Sequence, residues 1–217
     1  MRYLFLLLSW MLLTATASAQ IYGSLSWDHH TETAATPILE LIPPVVGRKV
    51  RVTSLVYTPA ATAHDLVLMR TIAQVELTAA SAASDTTLDL SAATFGGDTL
   101  ASGDYVVLEH ADGTHGAYLA SGLATLVLTV NAISKAANAG ANVYIMGAPG
   151  DTSYHNTVKS IASTRTEFID PLGGIMDGDY DIGTYSSDGL GMPVLVYSAN
   201  GTNAGTMNWG SAVYVRE

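Results

Sequence analysis

DYVVLEHADGTHGAYLAS, residues 104–121, is two apolar runs about a polar centre. Asp112-Gly113 stands at that centre, and glycine there supplies the positive φ that a tight hairpin needs. The flanks, DYVVLEH (104–110) and THGAYLAS (114–121), are then antiparallel strands. Ahead of them LASGDYVVLE sets Gly103-Asp104 just before the apolar run, a turn-then-strand entry. The same stretch gathers Glu109, His110, Asp112 and His115 within seven positions, in a chain with six histidines. Strand side chains alternate, so Glu109 and His110 point to opposite faces and cannot both ligate one ion from regular positions. His110 and His115 flank the turn, yet a zinc or nickel site built on them needs a third ligand from elsewhere. The hairpin explains the residues without a metal.

Working outward, QVELTA (74–79), TTLDLSA (86–92), LATLVLTV (123–130) and NVYIMGA (142–148) join the two flanks as short strand candidates. Turns containing Gly, Asp or Asn separate them, the pattern of a small antiparallel barrel. AISKAANAGAN (132–142) alone has helical character, limited by its Gly and Asn to about a turn. Before the barrel, IYGSLSW (21–27), KVRVTSLVYT (49–58) and HDLVLMRTI (64–72) read as strands. Residues 28–44 read as a polar loop and a short apolar segment stopped by Pro43-Pro44. After it come RTEFI (165–169), DYDIGTYS (179–186), MPVLVYSA (192–199) and GTMNWGSAVYVRE (205–217), while TSYHNTVKSIAS is ambiguous between strand and short helix. Asn200-Gly201 is the strongest short hairpin signal in the chain. The expected architecture is all-β: a jelly-roll-like β-sandwich from residues 20–72 plus 150–217. A small antiparallel β-barrel, residues 73–148, is inserted in one loop, which is cheap when the insert's ends lie close together.

The 217 residues are 48% hydrophobic and 13% charged, enough apolar material for an ordered core. A net charge of −10 repels phosphate backbones, which argues against nucleic-acid binding, and GRKVR (Arg48, Lys49, Arg51) is too small a basic patch to reverse it. The absence of cysteine excludes disulfides, thiolate metal sites and cysteine nucleophiles. Residues 1–19 resemble a secretory signal: Arg2, an apolar stretch Tyr3–Leu13, then Ala17-Ser18-Ala19, with Gln20 as the expected mature start. That stretch is about half of the ~20 residues a membrane span requires.

Other candidate chemistry is sparse. Asp177, Asp179 and Asp181 in DGDYDIG, with Asp188 at the twelfth position, resemble a calcium loop, but Ile182 occupies the place of its glycine. A strand with its aspartates on the wet face explains the same residues. His29-His30 beside Asp28 reads as a solvated loop, and His64-Asp65 has no placed nucleophile. His155 has no partner that the sequence supplies. Trp27 and Trp209 read as core residues, and tyrosine-rich strands suit a subunit face or a sugar-binding face. FGG, LGG and GLG read as turn glycines, and no nucleophile elbow, phosphate loop or His-Glu-x-x-His is present. Paired glycosidase-type carboxylates are judged by spatial separation, which a sequence does not hold. No catalytic, cofactor-binding or metal residue is assigned, and an enzyme is not expected.

The runs VYTPAATAHDLVLMRTIAQVELTAA, LASGDYVVLEHADGTHGAYLASG and VYIMGAPGD, within residues 45–151, resemble β-rich accessory or decoration proteins of tailed-phage virions. The resemblance lies in strand order, Ala/Thr/Gly texture and turn placement. It implies a jelly-roll-like platform with an inserted barrel, assembly as a homo-oligomer with a trimer favoured, and contact with other virion structural proteins. It carries over no functional residue, because such proteins have no catalytic set. The other reading is a secreted bacterial surface or carbohydrate-binding β-sandwich protein, with cleavage near Ala19 and a surface glycan as ligand. Neither reading calls for a cofactor, nucleic acid or a stable membrane span.

Overall fold

The computed structural model describes residues 27–32, 38–44, 48–59, 64–95, 97–151, 156–161, 167–169, 192–198 and 205–216. Among them the chain forms β1 (Trp27–Glu32), β2 (Ile38–Ile42), β3 (Arg48–Pro59), β4 (His64–Arg70), β5 (Ala73–Glu76), β6 (Thr87–Asp89), β7 (Thr94–Phe95) and β8 (Asp98–Thr99). It continues through β9 (Tyr105–Glu109), β10 (His115–Ala124), β11 (Val127–Val130), β12 (Asn142–Gly147), β13 (Asn156–Ile161), β14 (Glu167–Ile169), β15 (Val194–Ser198) and β16 (Gly205–Arg216). No helix occurs among the described residues.

Eight strands outside residues 73–147 form two four-stranded antiparallel sheets, ordered β1-β16-β3-β14 and β13-β4-β15-β2. Their pairing is nested: β4 pairs with β13, β3 with β14, β2 with β15 and β1 with β16. The chain is thus one long hairpin, and successive pairs of its strands fall alternately into the two sheets. The links β16·β3 and β15·β4 complete each sheet. This wrapped hairpin is the jelly-roll order. Its innermost pair, β4·β13, opens at Arg70, and the intervening segment leaves and returns there.

That segment forms a six-stranded antiparallel sheet, β5-β12-β9-β10-β11-β6. Its two outer strands meet: Leu77 bridges Leu90, Thr78 N–H donates to Asp89 O at 2.8 Å, and Ser91 N–H donates to Glu76 O at 2.8 Å. The sheet therefore curls back on itself into a small barrel. The first and last barrel strands are neighbours, and Ile72 N–H donates to Ile145 O at 2.7 Å where the insert begins. Entry and exit lie side by side, so the insertion needs no long connection.

Alternation divides the barrel's apolar residues between two cores. Val106 and Leu108 of β9, with Val143 and Ile145 of β12, turn inward to meet Leu88 and Leu128. The residues between them, Tyr105, Val107, Tyr144 and Met146, point outward against Val67, Met69 and Leu195 of the β13-β4-β15-β2 sheet. Thr71 Oγ1 donates to Pro193 O at 2.8 Å in the same seam. The rings of Tyr105 and Tyr197 lie 5.8 Å apart across it, and burial pushes the Tyr105 hydroxyl up to about 12. Leu66 to Met69 are buried in succession, so that sheet is covered on both faces. A strand covered on both faces reads as an unbroken apolar run, which is what LVLM (66–69) is.

Four local expectations are corrected. Residues 28–32 are strand rather than loop, because the twelve-residue β16 offers them a register, Asp28 opposite Trp209 through Glu32 opposite Gly205. Asn200-Gly201 does not join a hairpin of its flanking strands, since β15 and β16 belong to different sheets, and the turn residues lie outside the described ones. Residues 132–141 hold no helix, because their backbone groups bond to the barrel end instead. The hairpin from β10 to β11 turns at Thr125-Leu126, with Thr125 at φ 59°, and Gly122 instead follows a register shift in β10. The short β7–β8 hairpin, with Gly97 at φ 100°, has too few residues to show a period. DYDIGTYS lies outside the described residues.

Leu128 is fully buried in the barrel core, whereas Leu126 is 40% exposed. Leu128→Ala lowers unfolding free energy by about 2–5 kcal/mol in urea titration, and Leu126→Ala lowers it by less than about 1.

Candidate functional site

The residues that gather chemistry in the sequence stand at the β9–β10 hairpin. His110 N–H donates to Thr114 O at 2.8 Å, enclosing the three-residue loop Ala111-Asp112-Gly113. Gly113 N–H donates back to His110 O at 2.9 Å, and Gly113 has φ 77°. Glycine takes that left-handed conformation without a Cβ clash, which sets the loop length.

His110 is buried at 4% exposure, and both of its ring nitrogens are engaged. Nδ1 lies 3.0 Å from Thr114 Oγ1, and Nε2 lies 2.7 Å from Tyr118 Oη. The direction of the first bond follows from the carboxylate at the end of the chain. Asp112 Oδ1 accepts from Thr114 Oγ1–H at 2.6 Å and Thr114 N–H at 3.0 Å, and Oδ2 accepts from Lys135 Nζ at 2.7 Å. The Thr114 proton is therefore spent, and Oγ1 can only accept from His110 Nδ1–H. A neutral ring then has a lone pair on Nε2, which accepts from the Tyr118 hydroxyl. Tyr118 Oη in turn accepts from Ser134 N–H at 3.0 Å and from the Ser134 hydroxyl at 2.9 Å. Burial, the largest influence, holds the His110 pKa below its ordinary value, in keeping with a neutral ring. Bonds from Lys135 and Thr114 hold the Asp112 carboxyl well below the usual range.

Gly116 makes room for this arrangement. A Cβ there would stand 2.5 Å from Tyr118 Oη and 2.8 Å from His110 Cε1. His115 lies on the other side of the barrel wall, where its ring centroid is 6.1 Å from that of Tyr144. Burial lowers its pKa as well. Glu109, opposite His115 in the ladder, accepts from Asn142 Nδ2 at 2.8 Å and from Asn142 N–H at 3.3 Å. Asn142 Oδ1 takes a bond from Gln74 Nε2. An open groove of about 330 Å³ runs between Glu109–Gly113 and Asn138–Ala141.

Alternation thus parts the predicted cluster. His110 turns toward Tyr118, while Glu109 and His115 face the outside of the barrel. No three potential ligands that could hold a metal stand together among the described residues. His29 and His30 lie on β1 opposite Asn208 and Met207, and His64 and Asp65 lie on β4 opposite Ile161 and Ser160. His155 and the aspartates Asp177, Asp179, Asp181 and Asp188 lie outside the described residues. Sequence reasoning missed Tyr118, Ser134 and Lys135 as partners of the hairpin. Gly116, two residues before Tyr118 on the same strand face, was the one local signal that a bulky group needs space there.

Tyr118→Phe leaves buried His110 Nε2 without its partner and takes the acceptor from Ser134 N–H. It lowers stability by about 1–3 kcal/mol, read from the urea midpoint. Gly116→Ala costs a similar amount, about 1–3 kcal/mol, by overpacking the same two rings. The pH dependence follows from the histidines. A histidine whose folded pKa is lowered binds fewer protons folded than unfolded, so its contribution is complete above about pH 6.5. That contribution is lost as pH falls from there through the folded pKa. Unfolding free energy therefore declines with acid from about pH 7 to 5, and replacing His110 and His115 together by Gln reduces that slope.

No family model and no curated protein matches the chain. Among solved structures, VP17, a capsid protein of bacteriophage P23-77, aligns with 89% of this chain and 100% of its own at 10% identity and a TM-score of 0.16. The VP16-VP17 complex of the two major capsid proteins of that phage aligns over 88% of this chain and 100% of its own, at 12% identity and a TM-score of 0.19. The structure of infectious bursal disease virus Gx strain aligns over 90% of this chain and 42% of its own, at 12% identity and a TM-score of 0.13.

Proposed function

We propose that the chain is a non-enzymatic virion structural protein, a capsid or tail decoration or accessory subunit that acts through subunit–subunit contacts. Its partners in this reading are copies of itself, with a trimer favoured, and other virion structural proteins. The observation that carries the reading is the β10–β11 hairpin. Residues 116–134 contain no charged side chain in a chain of net charge −10, and they expose Leu119, Leu126 and Val127 at 41%, 40% and 37%. Copies of an acidic chain repel one another, and an uncharged apolar face is where they meet without that cost. The jelly-roll order adds a fold-level analogy, since viral capsid domains use that architecture. The proposal divides the chain into a sandwich domain of residues 20–72 plus 150–217 and an inserted barrel domain of residues 73–148. Light scattering on the full chain tests it: an oligomer is expected at micromolar concentration, and Leu126→Asp with Val127→Asp shifts it toward monomer. A stable wild-type monomer counts against the reading.

The second reading, a secreted bacterial surface or carbohydrate-binding protein, is favoured by residues 1–19 and by the use of jelly rolls in lectins. Against it, the barrel covers the sheet face bearing Val67, Met69 and Leu195, which leaves that face unavailable to a glycan. Mass spectrometry of the native N-terminus separates the two. A chain beginning at Gln20 supports secretion, and an intact Met1 supports the virion reading.

A further inference from the structure

We infer that His110 is the pivot of a pH-responsive latch that fastens residues 131–141 over one end of the barrel. This segment is neither strand nor helix, apart from a single bridge between Ser81 and Ala137, yet it buries Ile133 and Ala137 in the barrel core. It is held from two sides. On one side its backbone is bonded to the β5–β6 connection: Ala137 N–H to Ser81 O, Ser81 N–H to Ala137 O, Ile133 N–H to Asp85 O and Ser84 N–H to Ile133 O, at 2.9–3.0 Å. On the other side it is bonded to the β9–β10 hairpin. Ala111 N–H donates to Ala136 O at 2.8 Å, Ser134 binds Tyr118 Oη, and Lys135 Nζ binds Asp112 Oδ2 and Thr114 Oγ1.

Tyr118 and Thr114, which hold Ser134 and Lys135, are the two groups that His110 bridges. The bond directions described above place a proton on Nδ1 and are those of a neutral ring. Protonation makes Nε2 a donor toward Tyr118 Oη, which has been donating to it. Tyr118 must then turn its proton toward Ser134, and the Ser134 hydroxyl loses its acceptor. A full charge is also placed in a ring that is 4% exposed. The charged and titratable groups around it are Asp112 and Lys135 at the tip, Tyr118 on β10, and Glu109 and His115 at the strand ends. The Asp112 carboxylate favours the charged ring, but it is shared with Lys135, whose ammonium opposes it. Release of the segment frees His110 to take up a proton as an exposed histidine does. One proton coupled to one opening makes the opening constant rise about tenfold per pH unit between the two pKa values.

The test is amide hydrogen exchange on the full chain from about pH 7.5 to 5, corrected for intrinsic rates, together with nitrogen NMR of the His110 ring. The expected result is that Ala111, Ser134 and Ala137 lose protection about tenfold per pH unit below about 6.5, while β9 and β12 amides do not. His110→Gln is expected to abolish that slope and His115→Gln to leave it. Protection independent of pH, or a slope that survives His110→Gln, overturns the latch. Should His110→Gln fail to fold, the wild-type ring decides: a proton on Nδ1 with titration below about 6.5 upholds it, and an Nε2–H tautomer or titration at or above 6.5 overturns it.

Discussion

Tyr105 to Leu108 are buried one after another, as are Val143 to Met146 on the neighbouring strand, and the rest of the molecule depends on that double burial. A sheet has two faces, and a strand with both faces apolar must find cover twice. On β9 and β12 the inward residues close the barrel and the outward ones lie on the jelly-roll sheet. A free barrel would expose Tyr105, Val107, Tyr144 and Met146 to water, an apolar surface too large to leave uncovered on one side of so small a unit. Their burial against Val67, Met69 and Leu195 holds the insert against the sheet from which it springs.

The hairpin tip follows a different economy. Its polar side chains are few, and each one is consumed. One carboxylate, one hydroxyl, one imidazole, one phenol and one serine form a chain in which Asp112 fixes the direction as far as His110 Nδ1 and a neutral ring fixes the rest. Its two buried members, His110 and Tyr118, tolerate neither a missing partner nor an extra proton, because a buried polar group without a partner costs more than a satisfied one contributes. Gly116 is the steric condition for it, since any side chain there would meet the two rings. The hairpin that gathers chemistry in the sequence is bonded to the segment bearing Ser134, Lys135 and Ala136.

Strand placement in the barrel was largely legible. DYVVLEH and THGAYLAS became β9 and β10, and the Asp112-Gly113 turn stands between them because glycine's freedom at positive φ is a local property. The separation of Glu109 from His110 was legible for the same kind of reason, strand periodicity. Ser134 and Lys135 were not legible as partners of the hairpin, because they lie 16 and 23 residues from Tyr118 and Asp112. No periodic signal spans a loop of that kind. The helical character of AISKAANAGAN was a local preference that the barrel end overrode by offering its backbone other partners.

The amino-acid sequence by itself determined what depends on neighbouring residues: an all-β chain, short strands with glycine at their turns, and a central run of strands unlike its flanks. Only the tertiary structure decided which strands pair. Asn200-Gly201 favours a local hairpin, yet β15 and β16 lie in separate sheets, because the wrapped hairpin flanks β15 with β2 and β4 and pairs β16 with β1 and β3. Backbone hydrogen bonds carry no label of the residue that makes them. The choice among possible strand partners is therefore made by burial of whole faces, a property of the assembled sheets that no single stretch contains.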